Sequence, residues 1–146
     1  MTPLQACKWL ESSWIGTVIR GSKWGFALVE MVHLLALALL GGALVVSALH
    51  SFGLIFRGSP PGAISRELAR VQLASLAMMI ASGLLLFSDG PLRYYGNAAF
   101  RVKLVLMVGA ILTGVLSYLT GAKTATLLAL CLWLGVGIAG RVIGVL

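Results

Sequence analysis

Glu30 and His33 stand one helical turn apart in the run VEMVHLLALALLGG, which is otherwise apolar. At i and i+3 they share a helix face. A carboxylate and an imidazole so placed can exchange a hydrogen bond, serve one ligand together, or pass a proton. Farther along, NAAFRVKLVLM carries Arg101 and Lys103, two cations at the head of another apolar run. Met78, Met79 and Met107 add thioethers, which with imidazole suit soft metals such as Cu(I). An imidazole beside cations also suits a haem, whose iron takes an axial histidine and whose propionates take cations.

The elements that must position these groups follow from composition. Of 146 residues, 60% are hydrophobic and 10% charged, with a mean hydropathy of +1.02. A soluble domain of this size cannot hide so much apolar surface, so its main solvent is a lipid bilayer. A spanning helix needs about 20 mainly apolar residues. Four such stretches occupy about 24–56, 69–87, 98–120 and 124–146, leaving no room for a separate soluble domain. The expected fold is all-α, an integral membrane four-helix bundle. Residues 1–23 precede it, with Trp9, Leu10, Trp14, Ile15 and Val18 at helical spacing opposite Lys8, Glu11 and Arg20. That pattern predicts an amphipathic helix lying in the interface.

Pro60-Pro61 breaks the chain after the first span, Gly90-Pro91 and Gly96-Asn97 predict turns after the second, and the brief TGAK makes the last two spans an antiparallel hairpin. Pairs of small residues four apart (Ala38/Gly42, Ala77/Ala81, Ala110/Gly114, Gly140/Gly144) offer ridges for close helix contact. The glycine-rich last span could serve packing within the chain or a homo-oligomer equally well. The net charge of +7 is spread over loops flanking apolar spans, which points to interface anchoring rather than nucleic acid. A count of cations places both termini in the cytoplasm. Arg101, Lys103 and Arg141 drop from that count if they lie within the membrane, so both orientations stay open. Cys7 and Cys131 have neither the spacing nor the context of a disulfide or metal pair.

Alternating span direction gives depth. Glu30 and His33 fall roughly 9 to 14 Å below one surface and Lys103 roughly 7 Å below the same one, at 1.5 Å per residue. Met78, Met79 and Met107 reach the level of His33, and the loop PLRYYGN caps that face. Structural roles compete with functional ones: Glu30 can pair with Lys103 or Arg101, Lys103 can snorkel, and the methionines can be core filler. Ionisable groups inside a membrane are costly, which makes function the default for His33. His50 lies about 25 Å along the same helix, too far to share a ligand, and reads as a marker of the opposite interface.

Arg20-x-Ser22-x-Trp24, Glu30-x-x-His33 and Asn97-x-x-Phe100-Arg101-x-Lys103 together resemble a family of small four-helix bacterial membrane proteins whose function is uncharacterised. The resemblance spans roughly residues 15–120 and implies a bacterial inner membrane location. The Asp-Leu-Arg-like stretch usual after the first helix of that family is replaced here by SALHSFG. His33 and Lys103 alone are also similar to positions in two better-known groups. These are the copper-resistance D family, which implies copper passage, and the small bacterial membrane protoporphyrinogen oxidase, which implies a histidine haem ligand and a helix-three lysine.

Three functions follow as expectations. In a haem b site, which would give a redox-linked membrane subunit, His33 is the axial ligand, Glu30 its orienting acceptor, and Arg101 and Lys103 neighbours of the propionates. In copper handling, His33 and Met79 are the ligands. In a non-catalytic anchoring subunit of a larger membrane complex, no cofactor is needed. The chain has no nucleophilic triad, phosphate loop or zinc-spaced cluster, so whether it is an enzyme is left open by the sequence.

Overall fold

The computed structural model describes residues 21–59 and 63–143, together with Gln5, Ser12, Ser13, Trp14 and Thr17. The expected interfacial helix therefore lies largely outside the described residues. Within it, the Thr17 amide donates to the Ser13 carbonyl, and Trp14 is exposed.

Four long helices are apolar enough to cross a membrane: α1 Lys23–Ser51, α2 Ala63–Asp89, α4 Ala98–Thr120 and α5 Lys123–Ile143. The chain is an all-α membrane helical protein. A short helix, α3 Pro91–Gly96, lies between the second and third spans, where the sequence reading expects only turns. Pro91 sits in its first turn, where a missing N–H costs nothing. Asn97 then ends α3 and caps α4, its side chain accepting from the Ala99 amide at 2.9 Å. The two pairs expected as turns, Gly90-Pro91 and Gly96-Asn97, instead bound α3.

α2 starts at Ala63, ahead of the expected span at Ala69. Its added turns carry Glu67, which forms an exposed ion pair with Arg70 at 2.7 Å. Such a pair contributes little to stability, but its helix-compatible spacing lets α2 continue past the apolar zone. At the start of α1, the Ser22 hydroxyl accepts from the Gly25 amide. Gly121, with φ +66°, closes α4 in the left-handed conformation and turns the chain directly into α5.

α1 packs along α2 and α5, and α5 packs along α4, so two antiparallel hairpins meet through α1 and α5. Ala36, Leu40, Leu44, Met79, Ala110, Trp133 and Val136 form the centre. α2 and α4 are joined chiefly at one membrane face. There Phe87 stacks on Phe100 at 5.4 Å, and Tyr94 of α3 lies within 6.1 Å of Phe87 and 5.9 Å of Phe100.

The small-residue ridges of the first two spans are not at these contacts. Ala38, Gly42, Ala77 and Ala81 are all exposed. The buried small residues of these two helices are instead Ala36, Ala43, Ala48, Ser75 and Ser82. Apolar periodicity cannot separate a face that meets lipid from one that meets a helix, because both are apolar. The α4–α5 seam does use glycine: a Cβ on Gly135 would stand 3.3 Å from the Leu106 side chain. Gly135→Val should destabilise the hairpin by about 1–3 kcal/mol through overpacking. Gly137→Val, on a glycine with open space around it, should stay near wild type when both are unfolded in detergent.

Candidate functional site

His33 points from α1 into the α1–α2 seam. Its Nδ1 lies 2.9 Å from the Ser82 hydroxyl, and a Cβ on Gly83 would stand 3.2 Å from its Cε1. A side chain at this position would press on the ring, so glycine favours its close approach to the α2 backbone. The Ser82 hydroxyl has two carbonyl acceptors, Met78 at 2.7 Å and Met79 at 3.2 Å. Its single proton is therefore spent on the backbone, and its lone pair faces His33. Nδ1 carries the imidazole proton and Nε2 keeps its lone pair. Nε2 has no hydrogen-bond partner among the described residues, so His33 presents a fixed, unsatisfied acceptor. The ring also lies against the Met79 carbonyl, and Met79 itself is in the core, 2% exposed.

Lys103 reaches from α4 towards α5. Its ammonium stands 3.6 Å from where a Cβ on Gly140 would be. It is half-buried, within electrostatic reach of His33, and has no ion-pair partner among the described residues. An imidazole acceptor and an uncompensated cation thus share one end of the bundle.

The other two site residues of the sequence reading, Glu30 and Arg101, lie on the outside of the bundle. Glu30 is exposed and makes no ion pair with Lys103 or Arg101, and Ser82 rather than Glu30 accepts from His33 Nδ1–H. One helical turn brings Glu30 and His33 to neighbouring faces, yet His33 turns into the seam and Glu30 away from it. Glu30 acts electrostatically on Tyr94. Arg101 is also exposed, with its guanidinium donating to the Tyr95 carbonyl at 3.2 Å and lying 5.6 Å from the Tyr95 ring centre. It ties α3 to α4 from outside. Met78 is 43% exposed, away from any common cluster with Met79. Among the described residues, no three His, Cys, Asp or Glu side chains group as metal ligands.

Tyr94 of α3 packs against Phe87 and Phe100. Its burial raises the phenol pKa above the ordinary value, the Asp89 carboxylate raises it further, Arg93 opposes this, and Glu30 adds a smaller push upward.

At the other end of the bundle lies a cavity that the sequence reading missed, of about 120 Å³, lined from all four spans. His50 borders it with Ser47, Gln72, Ser117 and Thr126. Read alone, His50 looked like an interface marker. The available signal was the set of hydroxyls at matching depth on the other spans.

A family model matches residues 6–146, nearly the whole chain. The chain belongs to the family of unknown function DUF6644. No curated protein and no solved structure matches it. Membership agrees with an uncharacterised family of membrane proteins and assigns no activity.

Ser82→Ala should leave the His33 Nδ1–H unpaired, costing about 1 kcal/mol. In histidine-labelled protein, 15N shifts should change from a single Nδ1–H tautomer to a mixture. For Tyr94, the raised folded pKa means that its contribution is full below about pH 10 and declines as pH rises through the higher value. A pH titration of stability should show that decline in protein carrying Tyr95→Phe and Tyr118→Phe, and Tyr94→Phe should remove it.

Proposed function

We propose that this chain is a haem-b-binding, redox-linked membrane subunit, with its site at the end of the bundle that holds His33 and Lys103. The observation that carries this reading is the pinned His33 tautomer. Ser82 holds Nδ1–H, which leaves Nε2 as a neutral ligand in an apolar setting, the usual arrangement behind a metal-bound histidine. The donor set fits the group: one imidazole for the iron and one uncompensated ammonium for a propionate. Arg101, on the outside of α4, is the second cation on that side. A bound haem supplies one-electron chemistry. His33 would hold it, Lys103 would neutralise one of its carboxylates, and Gly83 leaves the imidazole close to α2.

Copper is the alternative occupant. It would use His33 Nε2 with the Met79 thioether, a pair whose softness favours Cu(I).

A second reading, a subunit that anchors a larger complex or a homo-oligomer, is supported by the outward-facing ridges Ala38/Gly42 on α1 and Ala77/Ala81 on α2. They are free to receive helices of another chain.

Visible spectroscopy of protein purified from haem-replete cells tests the first reading. Wild type should show a Soret band and a reduced-minus-oxidised signal. His33→Ala should lose both, while Lys103→Gln should keep the band with weaker retention of the group. A colourless, folded wild type would sink the haem assignment; metal analysis of the same sample then reports on copper, and a protein that copurifies in fixed ratio favours the anchoring role.

A further inference from the structure

The cavity at the His50 end is independent of the His33 site, and its hydrogen-bond chemistry is unusually one-sided. The Gln72 amide nitrogen donates to the Ser47 hydroxyl at 2.8 Å and faces the Ala43 carbonyl at 3.4 Å. Both partners act as acceptors, because the Ser47 proton goes to the Ala43 carbonyl at 2.8 Å. This fixes the amide orientation and turns its carbonyl oxygen away from both. Ser51 donates to the Ser47 carbonyl at 2.8 Å. Thr126 donates to the Ala122 carbonyl at 3.3 Å, so the Ser117 proton fills the 2.6 Å contact between the two hydroxyls. His50 Nδ1 faces the Ile55 carbonyl at a long 3.5 Å, which favours the tautomer with its proton on Nδ1 and an acceptor at Nε2.

The donors of these lining groups are thus spent on the protein, and what they retain is acceptor capacity: Gln72 Oε1, the Ser51 and Ser117 oxygens, and His50 Nε2. Only the Tyr118 and Ser65 hydroxyls on the lining keep an uncommitted proton, since neither makes a hydrogen bond among the described residues. Among the described residues, no Asp, Glu, Lys or Arg lines the cavity. An ion there would lose its hydration with no opposite charge in return, a cost of several kcal/mol.

We propose that this cavity binds a small neutral molecule with more hydrogen-bond donors than acceptors, of the urea or primary-amide class. Its N–H groups meet the acceptors of α1, α2 and α4, and its carbonyl meets the Tyr118 or Ser65 hydroxyl. The volume admits a molecule of a few heavy atoms with room for water.

Saturation-transfer NMR in lipid nanodiscs tests this, with millimolar urea as the probe and acetone, similar in shape but without donors, as the comparison. Urea should receive saturation from the wild type and acetone little. Gly114 lines the cavity, and a Cβ there meets nothing within 4 Å. Gly114→Leu should therefore fill the space without disturbing the backbone and weaken urea binding by about an order of magnitude or more. His33→Ala should leave it unchanged. If Gly114→Leu does not fold, Ser117→Ala serves, and should weaken urea but not acetone. No transfer to urea, equal transfer to acetone, or full retention in the folded Gly114→Leu protein would each overturn the proposal.

Discussion

A bilayer offers side chains no hydrogen-bond partners, and most of the structure answers to that constraint. Every buried hydroxyl of the described spans donates to a carbonyl one turn back in its own helix: Ser75 to Val71, Ser82 to Met78, Ser88 to Leu84 and Leu85, Thr126 to Ala122. The helix satisfies the proton and leaves an oxygen lone pair on the helix surface. Such lone pairs receive His33 on α2 and, at the other end, Gln72 on α1. Among the described residues the buried hydroxyls of the seams therefore have no unpaired proton, and their lone pairs fix the His33 tautomer and the Gln72 amide orientation.

The sequence made depth legible and rotation largely illegible. Span positions and the common level of His33 and Lys103 follow from hydropathy and the rise per residue, which depend on no neighbour. The direction in which a side chain points depends on which helix stands beside it. Glu30 and Arg101 reach the expected level but face outward, and Ala38/Gly42 and Ala77/Ala81 sit on the outer surface. In water the polar face of a helix would have revealed the inner one by contrast. In lipid that contrast vanishes, and only the buried serines record it. Ser75 and Ser82, seven residues apart on α2, mark the inward stripe better than any alanine or glycine pair. The cavity beside His50 was hidden for a related reason: Gln72, Ser117 and Thr126 come from three other helices and gather only once those helices are rotated correctly.

Between the two polar ends, Leu40, Leu44, Met79, Ala110, Trp133 and Val136 fill the bundle with apolar side chains. The Trp133 indole nitrogen is the one buried side-chain polar atom without a partner among the described residues. It lies in this layer, where Gly41 of α1 approaches its ring. An unpaired indole N–H in hydrocarbon is destabilising, yet the ring's large apolar surface, 96% removed from contact because only 4% is exposed, fills the junction of α1 with α5. Packing wins over hydrogen bonding at that point.

That outcome separates the ends chemically. A continuous polar path would need donors and acceptors every few ångströms through the middle layer. Ser82 and Ser75 are about 10 Å apart along α2 at 1.5 Å per residue, and both direct their protons into the backbone of their own helix. The Met79 side chain, between them in sequence, belongs to the apolar core. Events at His33 can reach the His50 end only through helix movement, since no chain of hydrogen bonds joins them among the described residues. The two ends therefore behave as separate sites on one scaffold, each shaped by an imidazole whose Nδ1 is held by a neighbour and whose Nε2 is left for something else.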